Sequence, residues 1–149
     1  MKKTILALAL PVIALTACKK TETAPDYRPQ IIGYYEGTLT DNSGTTAEKI
    51  LIENTGVNGL AIKEYNSTTG QYDLLITTST IKDANTSFVG NLNSTTTNGS
   101  VLTGVSTYQT TDGNKYDWGL NKTTNEITIG IAVNTGSATY DFVIEATKK

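Results

Sequence analysis

The chain has 149 residues, twelve Lys plus Arg against fourteen Asp plus Glu, one cysteine and no histidine. A mildly acidic chain without a basic run argues against nucleic acid or an anionic membrane surface as partner, and a lone cysteine cannot form an internal disulfide. The missing histidine removes both the commonest general base and the commonest transition-metal ligand.

Taken in chain order, Lys2 and Lys3 form a basic n-region, and the apolar run 5–15 is shorter than the ~20 residues that a membrane-crossing helix needs. It reads as a signal rather than an anchor. Directly after it, Leu15-Thr16-Ala17-Cys18 resembles the lipobox of bacterial lipoproteins, the Leu-x-small-Cys motif cut once the cysteine thiol is acylated. The resemblance implies a signal peptide over 1–17, Cys18 as the lipidation site with palmitate-type chains, and a lipid anchor in the outer membrane. Several acyl chains hold such an anchor stably, so the domain itself needs no membrane-binding surface. Loss of Lys2 and Lys3 with the signal takes the net charge from −2 to −4. Residues 18–30 read as a polar, flexible tether. Within them Lys19 and Lys20 beside Glu22 resemble the sorting segments of lipoproteins sent to the cell surface, so the surface is preferred over the periplasmic face. Residues 31–149 then form one domain of ordinary size.

Thr, Ser, Asn and Gly dominate the domain and strong helix formers are sparse, which favours strands joined by turns. Period-two alternation predicts strands over 31–40, 48–53, 60–65, 72–78, 88–93, 101–108, 116–120, 127–133 and 138–144. The predicted breaks are Asp41-Asn42-Ser43-Gly44, residues 54–59, Thr69-Gly70, the polar run 94–99, Asp112-Gly113 and Asn134-Thr135-Gly136. Thr45 with Glu48 fits a capping box for a short helix over 47–53, but Ile50, Leu51 and Ile52 favour a strand. Ile127, Ile129, Ile131 and Val133 share one face and form a hairpin with 138–144, with Gly136 in the left-handed turn position. Asp112-Gly113 predicts a second tight hairpin, between 101–108 and 116–120. Short sequential connections give an all-β antiparallel meander of about eight or nine strands closed as a small barrel, with a two-sheet β-sandwich as the alternative. Closure removes the edges that a Thr-rich sheet would offer to neighbouring chains.

At Ile31-Ile32-Gly33-Tyr34-Tyr35-Glu36-Gly37-Thr38-Leu39 the chain resembles the first strand of the lipocalin-like, or calycin-like, domains of small bacterial lipoproteins, in which a Gly-x-aromatic pattern opens the barrel. Gly33 and Tyr35 match it. Lipocalins proper have tryptophan at this position and a basic residue from a late strand packed over it; here the only arginine is Arg28, ahead of the strand, and no late strand has a central Lys or Arg. The resemblance implies an antiparallel barrel with ligand capacity at one open end and carries over no binding residue.

No spacing forces Glu36, Asp112 and Asp117 together, so they read as solvated carboxylates and the chain as non-enzymatic. Asp41-Asn42-Ser43-Gly44 and Asp112-Gly113-Asn114 fall short of a calcium loop and read as turns, without metal or cofactor. Tyr35, Tyr116, Trp118 and Tyr140 are the candidate ligand-binding residues, since aromatics beside Asn and Thr suit a sugar or an apolar molecule. Against this, Tyr116 and Trp118 share a face with Leu120, and Tyr140 shares one with Phe142 and Ile144, which is also the pattern of a core. Tyr34 and Tyr35 must point to opposite faces. The expectation is a lipid-anchored monomeric binding domain for a small apolar molecule or a glycan, with an interior too narrow for a large ligand. The alternatives are a structural component of an envelope complex or a protein-binding module using loops 94–99 and 110–115. Gly113-Asn114-Lys115-Tyr116 is faintly similar to the inhibitory loop of small barrel lipoproteins that block lysozyme.

Overall fold

The computed structural model describes residues 25–56 and 59–149; the signal, Cys18 and the start of the tether lie outside them. One short helix, α1 (Arg28–Ile31), precedes β1 (Gly33–Asp41), β2 (Gly44–Asn54), β3 (Leu60–Asn66), β4 (Gln71–Thr78), β5 (Lys82–Asp83), β6 (Ser87–Gly90) and β7 (Thr95–Thr97). After these come β8 (Ser100–Gly104), β9 (Tyr108–Gln109), β10 (Lys115–Tyr116), β11 (Trp118–Asn121), β12 (Glu126–Asn134) and β13 (Thr139–Lys148). The main sheet runs β4-β3-β2-β1-β13-β12-β11-β6-β5, all antiparallel, with β8 on the far half of β12, β7 on β8, and β9-β10 apart as a small second sheet. The predicted all-β class holds, as does the strand over 48–53, which lengthens into β2.

Alternation explains the curl. Tyr35, Ile50, Ile52, Ile62 and Ile76 line the inside of β1 to β4, opposite Phe88, Trp118, Leu120, Ile127, Ile129, Ile131 and Ile144 from β6 and β11 to β13, and all are buried. Where β3 and β4 run past this core, the inward positions become Glu64 and Asp73, cross-strand partners that cannot be packed in oil. The sheet therefore stops short of the closed barrel expected from sequence and forms an open half-barrel. Its two sides meet at one bridge, Thr78 with Leu92. There the Thr78 hydroxyl donates to Asn91 O at 2.6 Å and accepts from Trp118 Nε1 at 3.2 Å.

The inside is full. Ile31, Tyr35, Ile50, Ile76, Ile127, Ile129, Ile131 and Ile144 have no accessible surface at all, so they border no void that could hold even a water molecule.

Packing begins ahead of residue 31, within the stretch expected as tether. Pro29 lies in the first turn of α1, where a missing N–H costs nothing. Tyr27 sets its ring 5.3 Å from that of Phe88, and Ile31 is buried. Two carbonyls at the end of this helix find donors elsewhere: Tyr35 Oη donates to Ile31 O at 2.5 Å and Lys148 Nζ to Gln30 O at 2.9 Å. Lys148 is also the cross-strand partner of Tyr35, and its chain lies against Gly33. A basic residue of the last strand thus does reach the opening Gly-x-aromatic segment, from the end of β13 rather than its centre.

Three local expectations change. The polar run 94–99 contains β7, which pairs with β8 through Asn98-Gly99, both at positive φ. The strand expected over 101–108 breaks after Gly104, and Asp112-Gly113 closes only the two-residue ladder of β9 and β10. The cause is Gly130. Here β12 passes from β11 to β8, Val105 N donates to Gly130 O at 3.0 Å, and Gly130 N donates to Asp117 O at 2.8 Å. The β12–β13 hairpin forms as expected, with Gly136 at φ 84°.

Candidate functional site

The four aromatics singled out by pattern do not form one surface. Tyr35 is 0% and Trp118 1% exposed, and each polar handle has a partner inside the core, so neither offers area to a ligand. Burial pushes the Tyr35 hydroxyl far above its ordinary range, which keeps it a neutral donor. Tyr116 belongs to the small second sheet, half-buried, with the Lys82 ammonium 5.9 Å from its ring centre. Tyr140 is exposed near the turn of the β12–β13 hairpin, at the margin of the core opposite the buried Val133. The loop that follows β9 is tied to itself: Thr110 N donates to Asn114 O at 3.0 Å, and the Asp112 carboxylate accepts from Asn114 Nδ2 at 2.7 Å and from the Thr110 hydroxyl. These bonds hold the Asp112 carboxyl below its usual range. Asp117 accepts from Leu92 N at 3.0 Å and so pins the segment after β6. Glu36 faces Lys49 and Lys149, both at 3.6 Å. Among the described residues no three acidic or thiol side chains gather as metal ligands would.

What the fold does bring together is a second set of aromatics, on the outside of β1 to β4. Register places Tyr34 opposite Leu51, Leu51 opposite Lys63, Lys63 opposite Leu74, and Tyr65 opposite Tyr72. Tyr34, Leu51 and Lys63 alternate with the buried Tyr35, Ile50, Ile52 and Ile62 and therefore face away from the core, and the pairings of β3 with β4 carry Leu74, Tyr65 and Tyr72 on the same side. The rings touch: Tyr34 and Tyr72 are 5.8 Å apart between centroids at 60°, and Tyr65 and Tyr72 are 5.3 Å apart at 57°. Tyr34 is 56% and Leu74 47% exposed, and Tyr65 is exposed as well. The Lys49 ammonium stands 5.9 Å from the Tyr65 ring, and Lys63 pairs with Glu53 at 2.5 Å.

The β3–β4 turn holds two of these rings in place. Asn66 Oδ1 accepts from Thr68 N at 2.9 Å, Gly70 N donates to Asn66 O at 2.8 Å with Gly70 at φ 70°, and Asn66 Nδ2 donates to Asp73 at 2.9 Å. The opposite face of this end is acidic. Burial raises the Glu64 carboxyl above its ordinary range, with Asp73 adding to it, and burial likewise raises Glu48, with Glu64 adding. One end of the sheet thus has tyrosines outside and crowded carboxylates inside.

Alternation did signal that one of Tyr34 and Tyr35 looks outward. The other two rings escaped because pattern alone ranks aromatics by their apolar neighbours, which selects the buried ones. Pairing across the four residues 67–70 was the signal available, since it sets Tyr65 against Tyr72.

No protein-family model matches the chain, and no curated protein matches it.

Proposed function

We propose that this chain is a lipid-anchored, non-enzymatic binding module of the bacterial envelope, a lipocalin-like domain that meets its partner with the outside of its sheet rather than in a cup. The observation that carries the reading is the contrast between the two faces: the apolar core inside is closely packed, with eight of its side chains at zero accessibility, while Tyr34, Tyr65 and Leu74 lie exposed on the outside around a half-buried Tyr72. An interior carrier of small apolar molecules needs a cavity, and these side chains leave none beside them. Clustered exposed aromatics on a rigid sheet are the usual anchors of a binding surface, because they offer large contact area at low entropic cost. Cys18 supplies the anchor and the polar stretch before Tyr27 the stand-off, on the outer membrane with the domain turned to the surface.

Hydroxyl-radical footprinting of the full chain, in its own envelope and after extraction in mild detergent, tests this. Tyr34, Tyr65 and Tyr72 are expected to be protected several-fold in the envelope, with Tyr140 reacting equally in both states. Equal reactivity of all four tyrosines in both states overturns the proposal.

A further inference from the structure

We infer that the ligand of the outer tyrosine face is a neutral glycan whose sugar rings stack on Tyr34, Tyr72 and Tyr65. This rests on the reading of that face as the binding surface and goes on to name what it takes.

Area is the first argument. Taking ~200 Å² for a whole tyrosine side chain, the exposed parts of the three rings and Leu74 come to roughly 300 Å² of apolar surface. A stable protein interface buries about 800 Å² on each partner, of which about 450 Å² is apolar, so this patch alone falls short of what a folded protein or a second copy of the chain would cover. It matches a few sugar rings, whose C–H faces stack on aromatic faces while their hydroxyls turn to the rim.

Charge is the second. Lys49 and Lys149 pair with Glu36, and Lys63 pairs with Glu53, so the lysines beside the tyrosines already have carboxylate partners on the same chain. An anionic glycan would have to break these pairs, and the carboxylates of Glu48, Glu64 and Asp73 on the reverse of the same strands would repel it further. A neutral glycan finds the same groups ready as hydrogen-bond donors and acceptors.

Shape is the third. Neighbouring rings tilt by 57° to 60°, which makes a faceted surface rather than a flat one. Each facet takes one ring of a soluble, curved chain, and a flat crystalline polysaccharide would touch one facet at a time. Nor does an extended peptide fit the neighbouring edge. The register shift between Ile62 and Lys63 bends β4, and Asp73 points a charge inward there; both are devices that block strand addition.

The test is affinity electrophoresis of the full chain in mild detergent through gels containing soluble starch, xylan, galactomannan or mixed-linkage β-glucan, with polygalacturonate as the anionic comparison. Retardation is expected with at least one neutral polysaccharide and not with polygalacturonate. Tyr34→Ala and Tyr72→Ala should each weaken it by up to about tenfold, while Tyr140→Ala leaves it unchanged; unaltered Trp118 fluorescence confirms that the variants are folded. No retardation by any neutral gel, retardation by polygalacturonate alone, or full binding by the Tyr34 and Tyr72 variants each overturns the inference. If the gels fail while the tyrosines are still protected in the envelope, the face binds something other than a neutral glycan. If that protection is also absent, the proposed function falls with it. Dimerisation of the extracted chain that the Tyr72 variant abolishes would make the occupant a second copy and also overturn the glycan.

Discussion

Single side chains decide which aromatics are structural and which are available. Tyr35 and Tyr34 are neighbours in sequence with opposite fates, one buried under α1 and the other more than half exposed. The Tyr35 hydroxyl satisfies a buried carbonyl that has no other side-chain donor, so Tyr35→Phe leaves Ile31 O unpaired and is predicted to cost about 1–2 kcal/mol in urea unfolding. A loss below about 0.3 kcal/mol would mean that this hydrogen bond does not hold the helix down. Glu64 gives a prediction with a pH signature. Its carboxyl lies above the ordinary 4.5 because of burial first and Asp73 second, so the folded chain binds this proton more tightly than the unfolded chain does. Stability from this group therefore falls as pH rises through the window above 4.5 and stays low at neutrality. Glu64→Gln should raise Tm at pH 7, with the gain shrinking as pH falls towards 4.5; an equal gain at both ends would show that charge is not the cause.

At the scale of elements, the sequence reveals strands better than their partners. Ile127, Ile129, Ile131 and Val133 alternate cleanly, and β12 lies where they place it, because one face of a central strand must be apolar throughout. The polar run 94–99 reads as a loop because Thr95, Thr96 and Thr97 have no alternation of polarity, although Asn98-Gly99 is the turn that a tight hairpin requires. The supposed hairpin over 101–120 fails for a reason that no local pattern contains: β12 is long enough to need two successive neighbours, and the exchange occurs at Gly130. A Cβ there would sit 2.4 Å from the Thr107 side chain and 2.5 Å from Val105 O. Gly130→Ala is thus predicted to destabilise by about 2–3 kcal/mol, since backbone as well as side chain must move. Thr107→Gly added to it should recover only part of the loss in chemical denaturation. Full recovery would assign the crowding to the side chain alone.

Over the whole molecule, the open half-barrel follows from where apolar inward positions run out. Isoleucines and Trp118 fill the inside as far as Ile62 and Ile76, and beyond them Glu64 and Asp73 end the core while leaving the outer tyrosines on a stiff extension of the same strands. The all-β antiparallel class was legible because composition and turn spacing are local properties. The outer tyrosine cluster was not, because it depends on register across four strands, and register is written in pairings rather than in any one segment.

The claim that binding happens outside a filled sheet is tested most directly by purifying the full chain gently from its own envelope, extracting it with organic solvent and weighing what is released. The filled inside predicts no small apolar molecule in stoichiometric amount beyond the acyl chains proposed for Cys18. One such molecule per chain, retained through purification and freed only on unfolding, would contradict the account and return the function to the interior.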